Sequence, residues 1–183
     1  MKATGIVRRI DDLGRVVIPK EIRRTMRIRE GDPLEIYTSN DGEVIFKKYS
    51  AINEMSDNAT QVADIMYKLA GCPVVVFDRD HVVAVAGLQR KEYIERRASA
   101  QLEDLMSNRK QHYATGENDS RFIPVEGIDK AAIACQPIIS SGDIIGAVAF
   151  MEPDDNTKTA TELQISLIQA SVQFLGKQVE GWQ

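Results

Sequence analysis

The first fifty residues of the chain carry more apolar side chains than so short a segment can bury on its own. The segment contains neither cysteine nor histidine, so no disulfide or zinc site can stabilise it. A domain of about this size is marginal alone and usually needs a partner chain. We therefore predict that residues 1–50 form an intertwined homodimer. The apolar residues concerned are Ile6, Val7, Ile10, Val16, Val17, Ile18, Leu34, Ile36, Val44, Ile45 and Phe46.

β-Branched residues and turn-forming residues in this segment predict four short strands and one short helix. Pro19 presets the backbone for the first turn of the helix, and Gly31 ends it. Ile22 and Met26 lie one helical turn apart, on the side that we expect to be buried. The strands are expected at residues 4–10, 15–18, 34–38 and 43–48, and the helix at residues 20–27.

The same segment is basic, although the whole chain has a net charge of -4. Residues 1–29 hold nine Lys and Arg against three Asp and Glu, whereas residues 50–183 hold 12 against 19. Such asymmetry indicates that one end of the chain binds an acidic polymer. Most of these cations are arginines, whose planar fork suits phosphate oxygens and guanine edges. The predicted helix leaves Arg23, Arg24 and Arg27 on or near its outer face, which favours a nucleic-acid surface.

The run LGRVVIPKEIRR, at residues 13–24, resembles the N-terminal domain of AbrB-type transition-state regulators, and the likeness extends over residues 1–49. The resemblance implies an all-β swapped-hairpin dimer with one short helix that binds double-stranded DNA with weak sequence preference. Arginines on a strand and at a helix edge reach phosphates and groove walls more easily than a full set of base edges. By motif position, the implied DNA-binding residues are Arg8, Arg15, Arg23 and Arg24, with Arg9 as an addition.

Arg8 has the same strand parity as Ile6 and Ile10, so a regular strand would turn its side chain towards the apolar side. Strong twist, a bulge near Gly5, or a strand that ends early would each release it. These three alternatives remain open at this point.

Residues 51–71 are expected to form a connecting helix, with Ser50 as N-cap and Gly71 just past its end. Its apolar residues recur at alternating intervals of three and four, which is the spacing of a heptad seam. The seam lasts under three heptads, so packing on the following domain and a coiled coil with another subunit are both open. The seam comprises Ile52, Met55, Ala59, Val62, Met66 and Leu69.

Residues 72–183 show the pattern of an α+β domain with helices against an antiparallel sheet. The segments VVVFDRDHVVAVAG and PIISSGDIIGAVAF give the order of elements that resembles GAF domains. The closing helix is expected to start near Thr159, which has capping-box spacing to Glu162. Strands are expected at residues 73–78, 81–86, 122–125, 131–139 and 144–151, a helix at residues 90–111, and a loop at residues 114–120.

The GAF resemblance implies dimerisation through the terminal helices, and with a dimeric first domain this predicts a homotetramer. Ile165 and Phe174 lie outside the apolar stripe of the last helix and extend its apolar surface beyond what packing on one sheet needs. GAF domains commonly bind small molecules, so an unknown ligand between the sheet and residues 90–111 or 114–120 is one alternative. A purely structural, dimerising role is the other. The ligand-binding residues are unknown from the sequence.

Catalysis is not expected. Cys72 and Cys135 stand alone in apolar surroundings, and His81 and His112 belong to no metal-ligand cluster. The chain lacks GxSxG, Walker-type and Rossmann glycine motifs, so we predict no enzyme activity, cofactor or metal. No apolar run has the eighteen or so residues of a membrane span, and the start lacks a signal-peptide pattern. We therefore expect a cytoplasmic, nucleoid-associated protein without a membrane partner.

The two resemblances together predict a transcription regulator, similar to the sporulation regulators of the AbrB type, which activates some genes and represses others. The alternative is an antitoxin-like interaction protein that binds its own promoter, because swapped-hairpin DNA binders serve there too. Such antitoxins usually carry a short disordered tail. Residues 51–183 are instead patterned as a folded domain, which favours the regulator.

Overall fold

A computed structural model of the chain describes residues 4–116, 120–154 and 157–181. The chain divides into two compact units, Met1–Tyr49 and Ser50–Gln183. No helix in the described ranges is both long and apolar enough to cross a bilayer.

The first unit contains one short helix and one hairpin, both predicted from the sequence. Helix α1 spans Lys20–Thr25, and strands β1 (Leu34–Thr38) and β2 (Val44–Lys48) pair antiparallel, with Leu34 opposite Lys48. The Ser39 amide donates to the Glu43 carbonyl across the turn, and Gly42 in that turn has a φ of +79°. This left-handed conformation is one that glycine adopts without a steric penalty.

The predicted strands at residues 4–10 and 15–18 are not formed in the single chain. The described residues of both segments lie outside any sheet, and Val7 and Val17 are 88% and 71% exposed. A strand needs a neighbouring strand to satisfy its backbone groups, and the single chain gives these segments none. The helix also ends before residue 27, because Arg27 takes a φ of +52°. Met26 is 61% exposed, so its predicted burial is wrong in this single chain.

The second unit is a five-stranded, fully antiparallel sheet with helices on both faces, and its α+β class with helices against an antiparallel sheet confirms the prediction. Its strand order is β4-β3-β7-β6-β5. Helices α2, α3 and α6 cover one face, and α4 and α5 cover the other. The strands are β3 (Val74–Asp78), β4 (Val82–Ala86), β5 (His112–Tyr113), β6 (Ala132–Ser140) and β7 (Asp143–Met151), and the helices are α2 (Ala51–Glu54), α3 (Ser56–Ala70), α4 (Arg90–Tyr93), α5 (Ala100–Ser107) and α6 (Glu162–Glu180).

The central strands read as continuous apolar runs because both faces of the sheet are covered. Along β3, Val74 and Val76 pack under α3 and α6, while Val75 and Phe77 pack on the opposite face. Phe150 on β7 is fully buried on the α3 and α6 face. The core of the second unit is therefore two apolar layers separated by the sheet.

The helical segment that follows residue 50 packs on this sheet. Ser50 caps it by accepting a hydrogen bond from the Asn53 amide, and Gly71 ends it in the left-handed conformation, as predicted. A break at Met55 separates α2 from α3. Four residues of the predicted seam are buried against the sheet, which is the first of the two alternatives, packing on the following domain. These four are Ile52, Met55, Ala59 and Met66, whereas Leu69 is exposed.

The predicted helix at residues 90–111 is in fact two helices. Glu95 has a φ of +64°, and isolated bridges then join Arg97 to His81 and Ala98 to Val125. Ser99 caps the N-terminus of α5, and its hydroxyl accepts a hydrogen bond from the Leu102 amide at 3.2 Å. Pairing with distant segments overrides the local helical pattern here.

Two further predictions for the second unit need correction, and one short strand was missed. Residues 122–125 make isolated bridges, Phe122 to Ala132 and Val125 to Ala98, and not a regular strand. The capping box of α6 joins Thr161 to Gln164, two residues later than predicted. The short strand β5 was not predicted. Of the predicted loop at residues 114–120, residues 117–119 lie outside the described ranges.

Gly176 allows α6 to approach β6 closely. A Cβ at this position would lie 2.3 Å from the Ile139 carbonyl oxygen. We expect Gly176→Ala to lower the free energy of unfolding by about 1–3 kcal/mol, as overpacking typically does. In an exposed helix the same change usually stabilises by about 0.5–1 kcal/mol, so the predicted sign is reversed. Urea unfolding followed by circular dichroism measures it.

Gly181 provides the matched control at the end of the same helix. Its Cβ would meet nothing closer than 3.7 Å, so Gly181→Ala should leave the unfolding midpoint unchanged or raise it. Equal effects at both glycines would contradict the close approach of α6 to β6.

Candidate nucleic-acid interface

A hydrogen-bonded turn around Asp11 positions Arg15. One carboxylate oxygen of Asp11, Oδ1, accepts from the backbone amides of Leu13 and Arg15 at 3.0 and 2.7 Å. The Gly14 amide donates to the Asp11 carbonyl, and a φ of +76° at Gly14 lets the chain reverse there. The turn is thus held by short-range hydrogen bonds within the segment itself.

The second carboxylate oxygen of Asp11 pairs with the Arg15 side chain. The Arg15 Nε lies 2.7 Å from Asp11 Oδ2. The Arg15 amide and then its guanidinium hold the pKa of the Asp11 carboxyl below its usual value, so Asp11 stays ionised at neutral pH. The guanidinium is anchored through Nε, and the Arg15 side chain is 70% exposed. Its remaining donors can therefore reach an external acceptor.

Arg23 and Arg24 occupy the last turn of α1, and both are exposed. The Arg23 amide donates to the Pro19 carbonyl at 3.0 Å, and the Arg23 carbonyl accepts from the Ile28 amide at 2.8 Å. Cations near a helix C-terminus are favoured by the helix dipole. The backbone at this position is fixed at both ends, while the two guanidinium groups face solvent.

Arg8 and Arg9 are exposed in the segment that precedes the Asp11 turn. Within the described part of the chain, neither forms an ion pair. Gly5, just before them, has a φ of +70°, and no regular strand includes Arg8. The parity that would have turned Arg8 inward therefore does not apply in the single chain.

Arg27 and Arg29 were counted with the basic set, but both are half-buried. The Arg27 carbonyl accepts from Lys48 Nζ at 2.9 Å, and the Arg29 amide donates to Asp32 Oδ2 at 2.8 Å. Lys48 Nζ lies 3.7 Å from the nearly buried Asp32 carboxylate. Arg27 was predicted to lie on or near the outer face of the helix, but it follows the end of α1 and is half-buried, because this region ties the end of α1 to the hairpin.

Two exposed lysines extend the set beyond the predicted arginines. Lys20 opens α1, and Lys47 on β2 lies with its Nζ 4.5 Å from the ring centroid of Tyr37. Lys20 was included in the count of basic residues in residues 1–29, whereas the prediction from the sequence did not include Lys47. The five predicted residues all have exposed side chains, and all lie in the first unit. They are Arg8, Arg9, Arg15, Arg23 and Arg24.

The described residues give little support to a metal site or to thiol chemistry. They contain no group of three or more His, Cys, Asp or Glu that could hold a metal ion. Burial raises the pKa of the Cys135 thiol far above its ordinary value, and the Cys72 thiol donates to the Met151 carbonyl. Both thiols are buried and serve the core.

Two family models cover most of the chain. The model described as stage V sporulation protein T C-terminal, transcription factor, matches residues 54–180. The model described as antidote-toxin recognition MazE, bacterial antitoxin, matches residues 7–52.

Two proteins of Bacillus subtilis (strain 168) are similar in sequence. Stage V sporulation protein T is 48% identical over 183 residues, which cover 98% of this chain and 99% of that protein. Transition state regulatory protein AbrB is 51% identical over 76 residues, which cover 42% of this chain and 77% of AbrB. The second match confirms the AbrB-like character of the first unit.

Two solved structures confirm the GAF-like fold of the second unit. The GAF domain from an Acinetobacter phosphoenolpyruvate-protein phosphotransferase has a TM-score of 0.55 at 11% identity, covering 74% of this chain and 85% of that one. A GAF domain/HD domain protein from Geobacter sulfurreducens has a TM-score of 0.54 at 14% identity, covering 74% and 97%. At such identities the likeness concerns the fold alone.

Proposed function

Since the chain belongs to the stage V sporulation protein T family, we propose that it is a transcription regulator whose first unit binds duplex DNA as a dimer. Its second unit joins such dimers and responds to a small molecule. The observation that carries the proposal is the coincidence, in one unit, of exposed arginines with exposed apolar side chains.

The exposed apolar side chains support the dimer. Large apolar residues gain about 1.5–3 kcal/mol each when fully removed from water, so a cluster of them favours association. Many lie in residues 4–18, the part of the unit that has no strand partner in the single chain. A second copy could supply both the missing strand neighbours and the apolar cover. The exposed residues are Ile6, Val7, Ile10, Leu13, Val16, Val17, Met26, Ile36, Val44 and Phe46.

The arginines support DNA as the partner. A two-fold dimer presents each of them twice, which matches the symmetry of a duplex. The Arg15 side chain is held by Asp11, so its cost of ordering on binding is reduced, and the backbone that carries Arg23 is fixed in α1. Contacts of this kind go chiefly to phosphates and groove walls, which fits weak sequence preference. The similarity to stage V sporulation protein T supports control of sporulation genes. The proposal includes both activation and repression, in the cytoplasm at the nucleoid.

Exposed apolar residues on α3 and α6 support a tetramer. On α6, Leu163 and Phe174 are exposed and Leu167 between them is half-buried, a spacing that puts all three on one side of a helix. On α3, Ile65 and Leu69 are exposed one turn apart. The two helices pack beside each other on the same face of the sheet. An isologous contact between such faces would join two DNA-binding dimers.

Native mass spectrometry of the full chain with a short A·T-rich duplex tests this assembly. We expect four chains with two duplexes for the unmodified protein. Phe174→Glu places a carboxylate in the proposed contact, where burying an unpaired charge is costly, so two chains with one duplex should remain. Gln173→Glu adds the same charge at the exposed neighbouring position and should leave the tetramer intact.

The result for Phe174→Glu separates the two parts of the proposal. Tetramers that persist unchanged would contradict the helical contact, whereas duplex-free protein of any size would contradict DNA binding.

The antitoxin reading has one specific observation in its favour, the match of residues 7–52 to the MazE antitoxin model. It requires the rest of the chain to act as a flexible toxin-binding tail. Limited proteolysis of the full chain distinguishes the two. A resistant fragment of about residues 50–183 supports the regulator, and rapid loss of that region supports the antitoxin.

A further inference from the structure

A cleft of about 500 Å³ opens at one end of the sheet in the second unit. Strands β4 and β7 end there and β6 begins there, so the walls come from segments far apart in the chain. The last turn of α3 and the short helix α4 complete it. The side chains that matter for its chemistry are Tyr67, Glu92, Tyr93, Lys130 and Asp154.

Gly87 shapes the floor of the cleft. Its φ is +74°, and a Cβ there would lie 2.4 Å from Cε2 of Tyr67. The Tyr67 ring therefore packs against the backbone at Gly87. A side chain at position 87 would collide with this ring. The ring remains partly exposed on the cleft wall.

Tyr93 brings a phenol to the same cleft. The residue is only 5% exposed and makes no hydrogen bond to the described residues, and its hydroxyl is not among the buried atoms that lack a partner, so the oxygen is open to the cleft's solvent. Burial raises the pKa of this phenol first, and the carboxylates of Glu92 and Asp154 raise it further. Tyr93, Glu92 and Asp154 all line the cleft. A phenol without a partner in the protein is one that a ligand atom can satisfy.

The charges of the wall favour a cation. Glu92 and Asp154 are acidic, and Lys130 is the single cation among the described lining residues. Lys130 Nζ lies 3.0 Å from Asp154 Oδ1, so its charge is already compensated. Glu92 remains as a net negative charge beside two tyrosines, and aromatic faces attract ammonium groups as well.

We propose that this cleft binds a small organic amine in its ammonium form. The ammonium would donate to the Glu92 carboxylate and to the phenol oxygen of Tyr93, against the ring of Tyr67. An ammonium carries three donors and no acceptor, which suits a wall of carboxylate, phenol and aromatic face. The inference deepens the sensing part of the proposed function, and it rests on the second unit without reference to DNA.

Isothermal titration of the full chain with putrescine tests the site. Putrescine should bind, while succinate, a four-carbon dianion of similar length, should not. Glu92→Gln should weaken putrescine binding by about tenfold or more, because hydrogen bonds to charged groups are the strong ones. Tyr93→Phe should weaken it by about three- to tenfold through loss of one hydrogen bond. Glu126→Gln removes an exposed carboxylate outside the cleft and should bind like the unmodified protein.

Three outcomes would overturn the proposal. These are no heat with putrescine, binding of succinate in its place, or equal affinities for Glu92→Gln and Glu126→Gln. Circular dichroism establishes that each variant is folded. DNA binding without putrescine, measured in parallel, should be unchanged in Glu92→Gln. A wrong assignment of the amine site can therefore be told apart from a wrong assignment of the DNA-binding surface.

Discussion

Alanine at both Arg23 and Arg24 should weaken binding of a short duplex by about two to four decades at 150 mM salt. The two-fold dimer loses four guanidinium groups at once, and four exposed, salt-screened contacts of about 0.7–1.4 kcal/mol each add up to this range. Fluorescence anisotropy with a labelled A·T-rich duplex measures the change. If all four groups contact phosphates, the slope of log affinity against log salt should also fall by about 3 to 4.

Arg121→Ala is the matched control for this variant. Arg121 is an exposed arginine of the acidic second unit, paired with Asp129 at 2.8 Å, so its loss should leave DNA affinity unchanged. Circular dichroism should show all variants folded, because Arg23 and Arg24 are exposed and make no side-chain contact that α1 requires. Affinity within threefold of the unmodified protein would contradict the placement of these arginines on DNA. Unfolding would instead make them structural.

Val17→Asp should disrupt the dimer of the first unit and, with it, DNA binding. In the single chain Val17 is 71% exposed, and an exposed valine would tolerate this change with little effect. In the proposed dimer the residue is buried, and a desolvated, unpaired carboxylate then costs several kcal/mol in each subunit. We expect subunit affinity to fall by at least a thousandfold, as measured by analytical ultracentrifugation of the full chain.

Asn40→Asp adds the same charge to the same unit, in the exposed turn between β1 and β2. Its self-association should match that of the unmodified protein. A Val17→Asp variant that associates and binds DNA as before would show that this apolar surface is not the subunit contact.

The elements that the sequence predicted well are those specified by local chemistry. The hairpin of β1 and β2 follows from alternating residues around the Ser39 to Gly42 turn, and the ends of the α2 and α3 segment follow from Ser50 and Gly71. The predictions that failed depend on distant partners. Residues 4–10 have strand-forming composition, yet a strand exists only where another strand pairs with it.

The break between α4 and α5 had no signal in the sequence. Residues 88–111 contain neither glycine nor proline, so the apolar pattern indicated one helix. The break arises where Arg97 and Ala98 bridge to other segments, an effect that only the tertiary structure contains.

The two candidate sites differed in how far the sequence could locate them. The arginine set lies within one motif, so its members could be named from position, although charge counting did not separate exposed Arg24 from half-buried Arg27. The cleft draws Tyr67, Tyr93 and Asp154 from separate elements that antiparallel pairing brings to one end of the sheet. No spacing in the sequence links them.

The dependence of DNA affinity on salt tests most directly whether a paired arginine surface holds the duplex. For about six to ten phosphate contacts per dimer, we predict that the affinity of the unmodified protein falls by about three to five decades between 50 and 200 mM salt. An affinity that stays flat across this range would contradict phosphate recognition by the first unit.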